Sequence, residues 1–413
     1  MRDRLVRQNM QAARAIDGHV STLNAASGSR PTSEDMQGKH KSFIKHSAAW
    51  LYRENLRRKI APLVTWNPIR EPEPGCTAII GMCSRLPSVL GANLRCLVAA
   101  RWPELRRIII AVDATQTAFP LDAHALMADC GGVEIEVVHY SDKQSAVAEH
   151  LKLPFVYAWM SWCLALAQVR TRDVLIHDYD ALVFGSTLRS RYDEFARSGA
   201  MMQGVSWYGV NGLTAEDRLA TTFEAFVNVP WLRGLEPIAL FNKIGMKAGR
   251  SIDYDTTLYI QDRLLSAEER TCMPMAQAEL VHPSQMIHQY TMFRKMPGAP
   301  LPSFSMPMLP LFASLAGDDG ALAAAAGSLR NAPRDAVDLA GDGTRMNLQF
   351  LGRPEVDWTL KQMVQAMLAL GAAPSRQLLD YGDALYAHVG VPLADHWKGD
   401  FTDVQRDWIL RSA

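Results

Sequence analysis

Two aspartates one residue apart, Asp178 and Asp180, end a short apolar run in the stretch Thr171-Arg172-Asp173-Val174-Leu175-Ile176-His177-Asp178-Tyr179-Asp180-Ala181-Leu182-Val183-Phe184. In a locally extended chain, side chains two apart point to the same side, so both carboxylates can face one ligand. Like charges that close repel unless a cation lies between them, and a hard divalent ion takes carboxylate oxygens and completes its shell with phosphates. The chemistry on offer is the handling of a phosphate-bearing ligand through a shared metal. A second Asp-Tyr-Asp, at Asp253, Tyr254 and Asp255, serves as a control on so short a motif. It follows Gly249-Arg250-Ser251-Ile252 and precedes Thr256-Thr257-Leu258-Tyr259-Ile260, which reads as a helix start with acids in its first turn.

The first pair needs a strand to carry it. Val174, Leu175 and Ile176 form a continuous run with no polar alternation, the pattern of a strand covered on both faces in an α/β sheet. Acids at the C-terminal end of such a strand lie where open α/β sheets bind ligands. Upstream, strands are expected over 77–83, 107–113 and 133–139, and helices over 89–101, 121–129 and 155–168. Strands alternating with helices imply a parallel sheet made by right-handed crossovers.

At these residues the chain resembles the metal-dependent glycosyltransferases of the GT-A fold, whose Asp-x-Asp signature ends a central strand in this way. The resemblance spans roughly residues 77–184. It implies an α/β, GT-A-like open and mostly parallel sheet flanked by helices, with helical N- and C-terminal extensions. The expected domains are an N-terminal polar and basic extension over 1–70, a catalytic domain over 71–300, and a loop with C-terminal helices over 301–413. It further implies that Cys83, Ser84 and Arg85, in the turn after the first strand, hold a nucleotide-sugar, that Asp113 meets its base, and that Asp178, Tyr179 and Asp180 meet ribose and metal. Arg85 or Lys143 would add a positive contact to the diphosphate.

The same resemblance sends the acceptor to the half beyond Phe184, where Trp207 and Tyr208 are candidate platforms; a large aromatic is as readily a core residue. Asp253 and Asp255 could supply the general base of an inverting enzyme, helix capping being the competing role. A late histidine often serves the family as a third metal ligand. His282, at the end of a short apolar run, has that position, with Pro283 expected to open the next helix; a structural histidine is the other reading. The implied cofactor is Mn2+ or Mg2+, and the implied partners are a nucleoside-diphosphate sugar and a glycan, lipid-linked or protein acceptor.

Composition narrows the class. The chain has 413 residues with 43 basic and 43 acidic side chains, which argues against a nucleic-acid protein with a large basic surface. It has no apolar run near the length of a membrane span, and Met1-Arg2-Asp3-Arg4-Leu5-Val6-Arg7-Gln8 lacks a signal-peptide core. Its six cysteines show no Cys-x-x-Cys spacing, the pattern of reduced thiols in a cytoplasmic protein. Residues 1 to about 38 read as a frayed helix and a flexible segment. Residues 39–59 mix Lys and Arg with Phe43, Ile44, Trp50, Leu51 and Leu56, which suits either peripheral contact with the inner face of a membrane or an ordinary packed helix with a solvated basic side.

Beyond Gly298 a loop with one short helix, 321–329, is expected, then helices over 356–370, 375–388 and 402–411, with Trp358, Met363, Met367 and Leu370 as a packing stripe. Two other functions fit parts of the pattern. A haloacid-dehalogenase-type phosphatase also carries Asp-x-Asp after a buried strand, with Asp178 as nucleophile, and Gly341-Asp342-Gly343-Thr344-Arg345-Met346-Asn347 resembles its later acidic loop; Ala181-Leu182 departs from that family's pattern. A non-catalytic sugar-nucleotide-binding module is the third.

Overall fold

The computed structural model describes residues 36–130 and 133–412; most of the segment expected to be a frayed helix and flexible tail lies outside them. The chain divides into two compact units, one made of residues up to 73 and 195–274, the other of 74–194 and 275 onward. The first unit opens with strand β1 (Gln37–Gly38) and helix α1 (Phe43–Ile60). The second follows with β2 (Glu73–Met82), α2 (Ser88–Ala99), β3 (Leu105–Val112), α3 (Ala123–Asp129), β4 (Glu134–His139), α4 (Asp142–Leu151), α5 (Pro154–Gln168), β5 (Thr171–His177), β6 (Leu182–Val183) and α6 (Thr187–Ser198). The chain then supplies β7 (Met202–Gly204), β8 (Ala225–Asn228), α7 (Val229–Arg233), β9 (Lys243–Lys247), β10 (Arg250–Tyr254), α8 (Leu258–Leu264) and β11 (Arg270–Cys272) to the first unit. It ends in the second with β12 (Leu280–Val281), α9 (Met286–Lys295), α10 (Leu309–Leu315), α11 (Ala321–Asn331), α12 (Arg353–Ala369), α13 (Arg376–His388) and α14 (Asp403–Ser412).

In the second unit four strands lie in the order β5-β2-β3-β4, with β2·β3 and β3·β4 parallel. This is the mixed α/β architecture expected from the alternation of apolar runs. Ala78, Ile79 and Ile80 on β2, Ile108, Ile109 and Ile110 on β3, and Val174, Leu175 and Ile176 on β5 are all fully buried, because helices cover both faces of a sheet made by crossovers. The threonine hydroxyls of Thr77 and Thr171 share a 2.8 Å hydrogen bond between β2 and β5. In the first unit β1, β10 and β9 form a small sheet, β10·β9 antiparallel, and β11, β7 and β8 form a further run.

Four local expectations are corrected. Asp253 lies in strand β10, not in a helix start; α8 begins at Leu258, behind a left-handed Thr257. The helix after His282 begins at Met286, behind a left-handed Gln285, not at Pro283. Helix α4 is an addition. Its apolar pattern is weak, but Ser141 and Gln144 form a reciprocal capping box that sets its start. The stretch beyond Gly298 holds α10 as well as α11, and α10 packs on α2.

Among the described residues no helix is long and apolar enough to cross a membrane. Five of the six cysteines, Cys76, Cys83, Cys96, Cys130 and Cys163, are buried.

One buried side chain fixes the loop between β5 and β6. Asn93, on α2, is fully buried, and its amide donates to the carbonyls of Asp178, Tyr179 and Ala181 at 3.0, 3.0 and 3.1 Å. The Tyr179 ring is buried too, and its hydroxyl donates to the Leu86 carbonyl at 2.7 Å. The chain therefore turns with Tyr179 inward while its two acidic neighbours remain on the other side. Asn93→Ala removes the shared donor and leaves buried carbonyls poorly satisfied, an expected loss of about 1–3 kcal/mol in denaturant unfolding.

Candidate metal centre

Strands β6 and β12 are each two residues long, yet their pairing joins parts of the chain about a hundred residues apart. They run antiparallel, with Leu280 opposite Val183 and Val281 opposite Leu182, and the Phe184 N–H extends the ladder to the Glu279 carbonyl at 2.8 Å. The next residue after Val281 is His282, and the residues just before Leu182 are the acidic pair and its neighbour. The ladder thus delivers the imidazole to the carboxylates. His282 Nε2 lies 3.3 Å from Asp178 Oδ2 and 3.5 Å from Asp180 Oδ1, and one ligand atom from each of the three residues falls within 4.8 Å of the others.

These separations suit a divalent ion. With metal–ligand bonds of roughly 2.1–2.4 Å, neighbouring ligand atoms of an octahedral shell lie about 3.0–3.4 Å apart. Two carboxylates and one imidazole leave further positions for oxygen ligands from elsewhere, and the hard, mixed donor set suits magnesium or manganese better than a thiolate-seeking ion. The side chains of His282 and Asp180 are 9% and 7% exposed, and that of Asp178 is 26% exposed, so one edge of the cluster meets solvent. Burial by itself lowers the His282 pKa, but the hydrogen bonds and charges of Asp178 and Asp180 outweigh it and raise the value to about 10. With no cation between them, the carboxylates hold a proton on the imidazole instead.

The turn after β2 and the acid after β3 also come together. Asp113 Oδ1 accepts the Ser84 N–H at 2.7 Å. Burial raises the Asp113 pKa against the hydrogen bonds from Ser84, and burial with the Asp113 charge raises the Cys83 thiol far above its usual range. The Cys83 side chain is buried, while Arg85 in the same turn is exposed. Arg85 lines a cavity of about 300 Å³ with Glu149, Lys152, Arg294, Asp342 and Arg345. Arg294 donates to both Glu149 oxygens at 3.1 Å; burial pushes Glu149 upward, and Arg294 overrides it to hold the carboxylate below its ordinary range. Asp342 accepts the Tyr290 hydroxyl, anchoring its loop to α9.

Sequence reasoning did not include Asn93, Glu149 or Arg294. Asn93 carried a signal, a polar residue inside the apolar stripe of α2. Glu149 and Arg294 are 145 residues apart, and no local pattern links them.

Other expected residues have different surroundings. Tyr179, expected to meet the ribose, has its ring buried and its hydroxyl donating to the Leu86 carbonyl, a contact that positions the loop. Lys143 is exposed in the first turn of α4.

Asp253, Asp255, Trp207 and Tyr208 belong to the first unit. Asp253 lies 3.4 Å from Arg53, and burial raises its pKa against that charge. Asp255 Oδ1 accepts from the Asn242 amide and the Thr256 N–H at 2.7 and 2.8 Å, an anchoring role. Tyr208 accepts from Asn211 at 2.8 Å, and one face of Trp207 carries the Arg218 guanidinium 5.2 Å from the ring centre.

No family model matches the chain, and no curated protein matches it in sequence. Among solved structures it is similar to residues 1–349 of S. aureus TarS in complex with UDP-GlcNAc, at 11% identity, 77% of this chain, 93% of that chain and a TM-score of 0.29. It is similar to mannosyl-3-phosphoglycerate synthase from Rubrobacter xylanophilus, at 14% identity, 59% of this chain, 76% of that chain and a TM-score of 0.32. The mannosyltransferase PcManGT from Pyrobaculum calidifontis, in complex with GDP-Man and Mn2+, has 14% identity over 79% of this chain and 96% of that chain, with a TM-score of 0.30. At such identities and scores the reading of the site rests on its own residues.

Proposed function

We propose that this chain is a glycosyltransferase that moves a sugar from a nucleoside-diphosphate sugar to an acceptor, with Mn2+ or Mg2+ held by Asp178, Asp180 and His282. The observation that carries the reading is the convergence of these three side chains at the mouth of the parallel strands. A bound divalent ion would neutralise charge on the diphosphate as the sugar leaves. The chain's own residues fix the carboxylates through Asn93 and Tyr179 and present the imidazole through the β6·β12 ladder. The turn at Cys83, Ser84 and Arg85, with Asp113, is the nucleotide side of the same proposal, and Arg85 adds positive charge there. Residues 71–300 are proposed as the catalytic domain, with additions over 1–70 and 301–413.

Mn2+-dependent hydrolysis of UDP- or GDP-sugars tests this directly. Asp178→Ala and Asp180→Ala should each lower the rate by about 100-fold or more, the scale of losing a charge-stabilising group at a reacting centre. Phosphatase activity on an aryl phosphate, metal-dependent and abolished by Asp178→Asn, would instead favour a nucleophilic role for that residue. Nucleotide-sugar binding with no turnover would leave a binding module.

The proton on His282 sets a pH dependence. Its pKa of about 10 exceeds the ordinary value, so below that pH metal uptake must expel one proton. Apparent Mn2+ affinity should therefore rise by roughly tenfold per pH unit between neutral pH and pH 9, and level off only above about pH 10. Calorimetric titrations in buffers of different ionisation enthalpy should register the released proton. An affinity independent of pH would exclude His282 as a ligand.

Peripheral membrane contact through residues 39–59 is part of the proposal. Helix α1 buries His46, Arg53, Leu56 and Ile60 and exposes Phe43, Ile44, Trp50 and Tyr52 beside exposed Lys45, Arg58 and Lys59. A basic helix with an exposed apolar and aromatic surface suits anionic lipid. Phe43→Glu with Trp50→Glu should weaken sedimentation with phosphatidylserine vesicles by about tenfold or more. Equal sedimentation of the wild type and the double variant would remove this contact.

A further inference from the structure

A second cavity opens at a residue two positions along the chain from the same histidine. Ser284 lines a cavity of about 390 Å³ together with Phe304, Pro354, Glu355 and Trp358. Ser284 is two residues beyond His282, and two residues of chain span at most roughly 7 Å, so the Ser284 edge of the cavity lies within that reach of the His282 backbone. Its wall is fixed. The Ser284 N–H donates to the His282 carbonyl at 2.8 Å, and the Ser284 carbonyl accepts the Ser305 hydroxyl at 2.6 Å. Glu355 Oε2 is tied to the Gly352 N–H at 3.0 Å in the first turn of α12.

The chemistry of this lining differs from that of the cavity at Arg85. Four cationic side chains, Arg85, Lys152, Arg294 and Arg345, line the latter, whereas neither Lys nor Arg lines the former. Instead it carries two aromatic side chains, and Phe304 and Trp358 each remain 36% exposed. An aromatic ring presents a negative face, to which the C–H face of a sugar ring is complementary. A fixed carboxylate and a hydroxyl at the edge of an apolar surface can orient sugar hydroxyls. The same carboxylate repels phosphate and uronate groups.

We propose that this cavity is a subsite for a neutral sugar ring of the acceptor, stacked on Trp358 and Phe304 and oriented by Glu355. The inference rests on the glycosyl-transfer reading and deepens it, since it places acceptor recognition in the C-terminal helical part of the second unit, apart from Trp207 and Tyr208.

Saturation-transfer NMR on the full chain, without donor, tests it with maltose, cellobiose and diacetylchitobiose as neutral probes and glucose 6-phosphate as the anionic one. At roughly 10 mM, where millimolar binding is visible, at least one neutral disaccharide should receive saturation. Trp358→Ala and Phe304→Ala should each lower that signal about fivefold or more, and Trp358→Phe, which keeps a ring, should preserve most of it. The subsite is overturned by no signal from any neutral probe on the wild type, by equal signals in both alanine variants, or by preference for glucose 6-phosphate. Binding of UDP- and GDP-sugars with Mn2+ is measured on the same samples. Donor binding retained by wild type and variants alike would leave the transferase reading standing when the subsite fails, while its absence from the wild type would remove both.

Discussion

The site depends on one short piece of backbone pairing. Two residues of β12 laid antiparallel against two of β6 bring His282 within 3.3 and 3.5 Å of Asp178 and Asp180. A slip of one residue in that ladder would turn the imidazole to the opposite side, because successive side chains in a strand alternate. On β12 Val281 is fully buried while Leu280 is only half-buried, and a slip that exchanged their places would expose Val281. Apolar burial therefore sets the register, and the register sets the polar geometry.

The other half of the site is held by groups that never need to touch a ligand. Asn93 gathers three carbonyls of the acidic loop, and Tyr179 ties that loop to Leu86, at the end of the turn that begins with Cys83. The acidic loop and the turn after β2 are consequently joined through one buried tyrosine. A carboxylate pair is costly to hold close, and a loop free to relax would separate the charges. Fixing the backbone beneath them keeps the repulsion in place, and that repulsion makes a cation, or the proton on His282, favourable at this point.

How much of this was legible follows from where each constraint acts. The strands over 77–83, 107–113 and around 174–176 were readable because burial on both faces leaves an uninterrupted aliphatic run, and these runs are buried as expected. Asp178 and Asp180 were readable because a strand end and a spacing of two are local features. The second Asp-Tyr-Asp misled as to its element: its β10 strand is defined by pairing with β9, a non-local fact that propensity does not contain. Helix α4 was missed because its face is mostly polar, although the Ser141–Gln144 capping box was present in the sequence. Trp358 was expected in a packing stripe with Met363 and Met367. It is five positions from Met363, not three or four, and it is partly exposed while both methionines are buried.

Charge balance ties these observations together. With two carboxylates and an imidazolium the cluster carries one net negative charge; with a divalent ion and a neutral imidazole it carries none. In the first arrangement the carboxylates raise the His282 pKa against the effect of burial, so a proton offsets part of their charge. The second removes the net charge from a partly buried site and leaves coordination positions facing its exposed edge. A diphosphate approaching that edge would meet a cation rather than a bare pair of acids, and the cationic lining at Arg85 adds attraction of the same sign. The acid-bearing aromatic cavity beside Ser284 has the opposite preference. Within one unit, then, the lining charges distinguish two cavities: cationic side chains predominate at Arg85, while the one at Ser284 holds a carboxylate and two aromatic rings and no Lys or Arg.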